Sequence, residues 1–307
     1  MYLGAHIGIS GGLAGVPALG RGIGCEAIQI FSKSPQMWAG PPVAPESSAA
    51  FQEAVRTEGL KGTAVHHGYL TNLASPKPAG WKRSRRAFLD ELRRAEQLGV
   101  DALIVHPGAH LGSGTEAGAR RVAESLNEAF GLTEGFRVLT LLENMAGQGS
   151  TLGADFHELA IIRDQVKERR RLGVALDTCH TFAAGHDFRT DETYGGLIDR
   201  IGAELGVETV RAFHFNDAKA PLGSHLDRHE NIGKGEIGLE GFRRFVNDPR
   251  WRDRPAYLET PLGEDDYGAY RTDLATLRGL IEPMTDAASP PTVPDMRGAR
   301  RVGRGPR

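Results

Sequence analysis

The feature that most restricts this chain is a rhythm: short β-rich apolar runs recur along it, each followed by a longer stretch with apolar residues at helical spacing. Eight such runs can be counted: Leu3 to Ile9, Ala27 to Phe31, Thr63 to His66, Ala102 to His106, Val138 to Glu143, Gly173 to Asp177, Val210 to Phe215 and Ala256 to Glu259. From the second onward, their ends are separated by about the length of one strand, one helix and two loops. Runs that are continuously apolar, rather than alternating, suit a parallel sheet covered by helices. Eight βα units within residues 1–282 predict a closed (β/α)8 TIM barrel in preference to an open doubly wound sheet.

Helical stripes support the pattern. Phe88, Leu92 and Ala95 share one face of a segment that Gly99 ends; Val122, Leu126 and Ala129 form a second stripe, and Tyr270, Leu274, Leu277 and Ile281 the last. After Glu282 the composition turns to Pro, Gly, Ala and Arg with almost no large apolar residue. Residues 1–282 are therefore expected to form the barrel domain and residues 283–307 a disordered, solvated tail. Two glycine-rich stretches read as turns. Gly8-Ile9-Ser10-Gly11-Gly12 lacks the spacing of a dinucleotide fingerprint, and Ile232-Gly233-Lys234-Gly235-Glu236 lacks the full phosphate-loop pattern.

Composition removes several classes of function. With 37 Lys plus Arg against 39 Asp plus Glu, the formal charge is −2, so no global basic field announces a nucleic-acid partner. Two cysteines, Cys25 and Cys179, cannot build a disulfide framework or a thiolate zinc finger. No apolar run approaches bilayer length, and Met1 to His6 contains no basic region followed by an apolar stretch. A soluble protein in a reducing, cytoplasmic setting, with no membrane partner, is expected.

In a barrel of this kind the side chains at the carboxyl ends of the strands meet in one bowl. Six consecutive runs deliver metal-ligand types there: His66, His106, Glu143, Asp177 with His180 three residues on, His214, and Glu259. The loop after the seventh run adds Asp227 and His229, which would face one side of an extended segment. One histidine at a strand end is usually an ordinary hydrogen-bonded residue. Five of the eleven histidines and four carboxylates at successive strand ends are not explained that way, because the carboxylates would repel one another and resist burial. Cations resolve the conflict. Nitrogen and oxygen ligands without thiolate suit zinc, with manganese or iron as alternatives.

Nine ligands exceed the need of one ion and can serve three if a carboxylate bridges, an arrangement that points to phosphate-ester hydrolysis. The tail sums to +3, which leaves the body at −5, and three divalent ions would turn that body slightly positive at the mouth of the bowl. DNA is therefore not excluded. His6 and His110, near strand ends, are expected to orient ligands from behind, while His67, His157, His186 and His225 are expected at the surface.

Six segments in order, His66-His67-Gly68-Tyr69-Leu70-Thr71-Asn72-Leu73, His106-Pro107-Gly108, Glu143-Asn144-Met145-Ala146-Gly147-Gln148-Gly149, Asp177-Thr178-Cys179-His180, His214-Phe215-Asn216-Asp217-Ala218-Lys219 and Asp227-Arg228-His229, together resemble endonuclease IV. That is the zinc-dependent family that cleaves DNA at apurinic/apyrimidinic sites. The likeness runs from Tyr2 to Glu282. It implies three zinc ions per chain: one on His66, His106 and Glu143, a second on Glu143, Asp177, His214 and Glu259, and a third on His180, Asp227 and His229. It also implies attack on the phosphorus 5′ of the lesion with Glu259 orienting the nucleophile, Asp227 and His229 serving the departing 3′ oxygen, and a second activity on blocked 3′ ends. The implied partner is double-stranded DNA carrying abasic or 3′-blocked lesions, and the implied state is a monomer.

The resemblance further assigns DNA contacts to Lys33, Gln36, Tyr69 and Leu70. One position departs from the family, which has an arginine before the tryptophan of the second loop where Phe31-Ser32-Lys33-Ser34-Pro35-Gln36-Met37-Trp38 has Gln36. Two other readings compete: a sugar isomerase or epimerase of the xylose-isomerase-like barrels, and a non-catalytic lesion-binding protein. Asp227-Arg228-His229 argues against the first, since a third metal has no task in isomerisation. The full ligand set argues against the second.

Overall fold

The computed structural model describes residues 1–264 and 267–283, so the expected tail beyond Pro283 lies outside the described residues. Seven strands come first: β1 (Tyr2–His6), β2 (Ala27–Phe31), β3 (Gly62–His66), β4 (Ala102–Val105), β5 (Leu139–Glu143), β6 (Leu172–Asp177) and β7 (Val210–His214). A two-residue antiparallel ladder follows, β8 (Asp217–Ala218) with β9 (His229–Glu230), and then β10 (Pro255–Leu258). Among the described residues β1 to β7 and β10 close into one parallel barrel in the order β1-β10-β7-β6-β5-β4-β3-β2. Helices α1 (Val16–Ile23), α2 (Pro45–Thr57), α3 (Pro78–Leu98), α4 (Thr115–Gly131), α5 (Phe156–Asp164), α6 (Thr178–Ala183), α7 (Asp191–Glu204), α8 (Gly238–Asn247) and α9 (Gly268–Gly279) connect the strands. The expected (β/α)8 barrel is the observed fold.

The helices form where the stripes predicted them. Phe88, Leu92 and Ala95 of α3 are fully buried, and α3 stops at Gly99, whose φ of 69° is a left-handed conformation that side chains disfavour. The α7 start is fixed by a capping box in which Thr190 and Thr193 satisfy each other's backbone N–H groups. The last stripe is one residue set too long. Helix α9 ends at Gly279 with Leu280 buried, and Ile281 is exposed beyond it, because the chain has left the helical path that would turn this residue inward.

Strand bounds agree with the apolar runs to within a few residues, and the differences fall mainly at the rim. β1 ends at His6 rather than Ile9, β4 stops before His106, β7 before Phe215 and β10 before Glu259. Ile7 and Phe215 remain buried past the last ladder pairs, while His106 and Glu259 leave the ladder to stand partly exposed at the rim, so the runs extend beyond the strands.

Small residues line the barrel interior. Ala27, Ala64, Ala102, Ala175 and Ala212 pack with Ile104 and Leu141 around Tyr257, which is 1% exposed. The β1–β2 contact is so close that a Cβ on Gly4 would lie 1.8 Å from the Ala27 carbonyl oxygen. The larger apolar side chains, including Phe213, Phe215, Phe242, Phe245 and Trp251, fill the layer between strands and helices. No helix among the described residues is long and apolar enough to cross a membrane. Because its neighbours are mostly alanines that cannot spread into a void, Tyr257→Ala is expected to cost about 3–5 kcal/mol, as for other buried aromatic rings. Chemical denaturation would show a lowered midpoint at unchanged slope. An unchanged midpoint would contradict this packing.

Candidate metal centre

The ends of β3 to β7 and of β10 place their polar side chains around a cavity of ≈ 350 Å³, bordered by His66, His106, Glu143, His180, Asp227, His229 and Glu259. Glu143, the last residue of β5, is buried at the centre. One carboxylate oxygen, Oε2, lies 3.1 Å from His66 Nε2 and 3.1 Å from His106 Nε2. The other, Oε1, lies 2.9 Å from His214 Nδ1 and 3.3 Å from His180 Nδ1. Each oxygen thus faces a different pair of imidazoles. Donor atoms converge to within 4.8 Å of one another in three groups that account for all nine ligand positions: His66 with His106 and Glu143; Glu143 with Asp177, His214 and Glu259; and His180 with Asp227 and His229.

Local sequence explains how these side chains are held. Asp177 ends β6 and caps α6: its Oδ1 accepts the His180 N–H at 2.7 Å, which fixes the two ligands of the Asp177-Thr178-Cys179-His180 segment relative to each other. Its Oδ2 accepts from Asn216 Nδ2 at 2.7 Å and faces His229 Nε2 at 3.8 Å. Asp227 and His229 depend on Asp217, whose carboxylate accepts the backbone N–H groups of Ala218, Gly233, Gly235 and Ile237. A Cβ on Gly235 would lie 2.4 Å from the Ala218 carbonyl oxygen. The glycine-rich stretch there is therefore a turn that folds the ligand-bearing loop back on β8, as its sequence suggested.

The donor set fits a divalent cation. Metal-bound histidines turn their second ring nitrogen to an oxygen acceptor, which sets the tautomer. His66 Nδ1 donates to the His67 carbonyl at 2.8 Å, His180 Nδ1 to the Asn144 carbonyl at 2.8 Å, His214 Nε2 to Gln29 Oε1 at 2.8 Å and His229 Nδ1 to the Glu259 carbonyl at 3.3 Å. The opposite nitrogens face the carboxylates. Two of them, His180 Nε2 and His229 Nε2, are buried without a hydrogen-bond partner among the described residues, a loss that a bound cation would make good. Cys179 is buried beside Asp177 and His229, its thiol pushed up to about 12 by burial and its Sγ donating to the Arg228 carbonyl at 3.6 Å, while the three groups above take nitrogen and oxygen donors alone.

Charge is balanced inside the cluster. Burial would raise the Glu143 carboxyl, but His214 and His106 beside it hold it well below the usual carboxylate range. Glu259 is held low in the same way, against its burial, by His214 and His6. His214 is driven down by burial yet lifted to about 9 by Glu259 and Glu143, and His229, likewise opposed by burial, is lifted to about 9 by Asp227 and Asp177. Without metal, protons on the imidazoles supply the positive charge that the carboxylates require.

Sequence reasoning missed three supporting amides. Gln29, fully buried on β2, accepts from His214, donates to Glu259 Oε1 at 2.6 Å and donates to His6 Nδ1 at 3.0 Å. Its signal was available as one polar residue inside the apolar run Ala27 to Phe31. Asn144 accepts the Asp177 N–H at 2.7 Å, and Asn216 accepts the Glu259 N–H at 2.9 Å. Both stand beside ligands in the quoted motifs.

The remaining histidines divide. His6 lies against Glu259 at 3.7 Å and itself borders the cavity, whereas His110 accepts the Gly114 N–H at 3.1 Å in a loop bond and does not. His67 corrects its surface assignment: it is buried, stacked on Phe88 with Nδ1 donating to the Gly68 carbonyl, because the apolar layer under α3 continues to this position. Among the anticipated DNA contacts, Tyr69 and Leu70 stand out from the rim at 64% and 40% exposure, and Gln36 is exposed. Lys33 does not join them. It is buried and paired with Glu91, so its ammonium is turned away from solvent and from any phosphate.

Residues 18–280 match the family described as xylose isomerase-like TIM barrel. A probable endonuclease 4 of Chloroflexus aurantiacus is 43% identical over 279 residues, 91% of this chain and 98% of the relative. One from Geobacter sulfurreducens is 42% identical over 284 residues, 92% of this chain and 96% of the relative. Among solved structures, endonuclease IV from Thermus thermophilus superposes with a TM-score of 0.79 at 33% identity, covering 91% of this chain and all of that one. A D-tagatose 3-epimerase-like protein shares the fold at 18% identity and a TM-score of 0.68, covering 91% of this chain and 97% of that one. With identity above 40% across nearly the whole length of its relatives, and with the ligand-type residues of the motifs gathered in one bowl, the chain belongs to the endonuclease IV family of the xylose isomerase-like TIM barrels.

Proposed function

We propose that this chain is a DNA-repair endonuclease that hydrolyses the phosphodiester 5′ of abasic sites in duplex DNA, trims blocked 3′ ends, and leaves a 3′ hydroxyl and a 5′ deoxyribose phosphate. The observation that carries the reading is the double-facing Glu143, which joins two ligand groups into one cluster while a third lies alongside. Three zinc ions fit the nitrogen and oxygen donors: His66, His106 and Glu143 would hold one, Glu143, Asp177, His214 and Glu259 a second, and His180, Asp227 and His229 the third. Bound there, the ions would supply a nucleophile at neutral pH and neutralise charge on the phosphate and the leaving oxygen.

The protein's own side chains would do the rest. Glu259, its Oε1 fixed by Gln29 and its side chain partly open to the cavity, orients the attacking water. Asp227 and His229 lie on the more open side of the cluster, where with His180 they would hold the ion that neutralises the departing oxygen. Tyr69 and Leu70 present an apolar wedge beside the bowl, suited to a duplex already weakened by a missing base. Gln36, neutral and shorter than arginine, would add less to that opening. The enzyme would act as a cytoplasmic monomer. The isomerase reading leaves the group of His180, Asp227 and His229 without a task.

Two outcomes are expected. Below about 9, His214 and His229 each carry a proton in the metal-free protein that an incoming ion must displace. Zinc affinity should therefore climb with pH through the neutral range, with protons released on binding, as calorimetry in buffers of different ionisation enthalpy would record. Affinity independent of pH, without proton release, would contradict the proposed ligands. Glu259→Gln keeps the shape but removes the charge, and cleavage of a labelled duplex with one abasic analogue should fall by about 10²–10⁴ while binding survives. Mapping the cut and its end groups in the wild type tests the assigned bond; a variant within a few-fold of wild type would show the reacting centre to be misplaced.

A further inference from the structure

The loop between β2 and α2, which carries Gln36, Met37 and Trp38, is tied to α3 by a buried ionic clasp that the cluster chemistry does not use. Ser32, Lys33, Glu91 and Arg94 are all buried. One oxygen of Glu91 accepts the Ser32 hydroxyl and the other meets the Lys33 ammonium, with Asp90 3.7 Å from the same ammonium. Arg94 completes the clasp: Nε donates to Ser32 Oγ at 2.8 Å and the two terminal nitrogens donate to the carbonyls of Ser32, at 2.6 Å, and Pro41, at 2.7 Å. Gln97, about one turn further along α3, donates to the Val43 carbonyl at 2.7 Å. Both ends of the loop are thus held by one helix.

The tip conforms to the same arrangement. Gly40 crosses directly over Lys33, where an added Cβ would lie 2.9 Å from the lysine Cβ, and the Arg83 guanidinium stacks 4.2 Å from the Trp38 ring. Between these anchors Gln36 and Met37 remain exposed, Met37 by 50%. A buried ion pair is a weak source of stability, since apolar residues of similar volume usually do as well. Charge-assisted hydrogen bonds are short and directional, however, and set geometry well.

We propose that Glu91 is a positioning residue: by gripping Ser32 and Lys33 it presets the 32–43 loop in the shape in which Gln36 to Trp38 meets the duplex, so that less ordering remains for DNA to impose. Lys33 serves the same end and is not a phosphate contact. This inference rests on the reading of the chain as a duplex-cutting endonuclease.

The test uses the zinc-loaded protein and Glu91→Gln, which preserves shape but removes the charge gripping Ser32 and Lys33 and leaves the lysine only the looser Asp90 carboxylate at 3.7 Å. Backbone amides of residues 32–43 should exchange faster in the free variant, and KM for a duplex with an abasic analogue should rise about 10- to 100-fold, as for other displaced positioning groups. The kcat at saturating DNA should stay at the wild-type value. A Lys33→Met, Glu91→Gln double variant removes both charges, so it should fold normally and still show the loosened loop and raised KM. Unchanged amide exchange in both variants, or an unchanged KM, or a loss confined to kcat, would overturn the proposal. A wild type that cuts no abasic duplex would instead remove the reading beneath it.

Discussion

The structure turns on the placement of one carboxylate. Glu143 is 1% exposed, yet each of its oxygens is matched by imidazole nitrogens, His66 and His106 on one side and His214 and His180 on the other. An unpaired charge at this depth would be strongly destabilising, so the surrounding strands must deliver their histidines together or the site cannot exist. A closed parallel barrel meets that demand because every strand ends on the same face. Fold and site are in this sense one constraint.

From Glu143 the ordering spreads outward through groups with fixed geometry. Backbone carbonyls and the Gln29 amide orient the imidazoles, Asp177 caps the helix that presents His180, and Asp217 closes the turn that carries Asp227 and His229. These contacts join strand ends distant in sequence, which limits how far any one ligand can drift. Towards solvent the packing relaxes, and Tyr69, edge-on against Phe31, and Leu70 are exposed at the rim.

Much of this was legible in the sequence because the barrel couples two simple signals. Continuous apolar runs marked the strands, and the residues that ended them were ligand types; periodicity and chemistry coincided at His66, Glu143, Asp177 and His214. Asp227 and His229 lie outside the barrel strands, before and at the start of β9, and only their spacing and the family motif identified them. What escaped notice depends on tertiary contacts. Gln29 shows in the sequence as one polar residue inside an apolar run, but nothing local distinguishes an amide that spans two ligands from a stray polar residue. His67 and Lys33 were misplaced for a related reason: burial beneath α3, and pairing with Glu91 far along the chain, leave no mark on the neighbouring sequence. Ile281 kept the helical spacing after the helix had ended.

The central claim is that one buried carboxylate joins adjacent cation sites at the rim of the barrel. Diffraction from crystals of the purified protein at wavelengths on either side of the zinc absorption edge tests it most directly. The account predicts three anomalous peaks, one beside His66 and His106 and one beside His214 and Asp177, with Glu143 between these two, and a third beside His180 and His229. A lone peak, or two peaks without Glu143 between them, would contradict it.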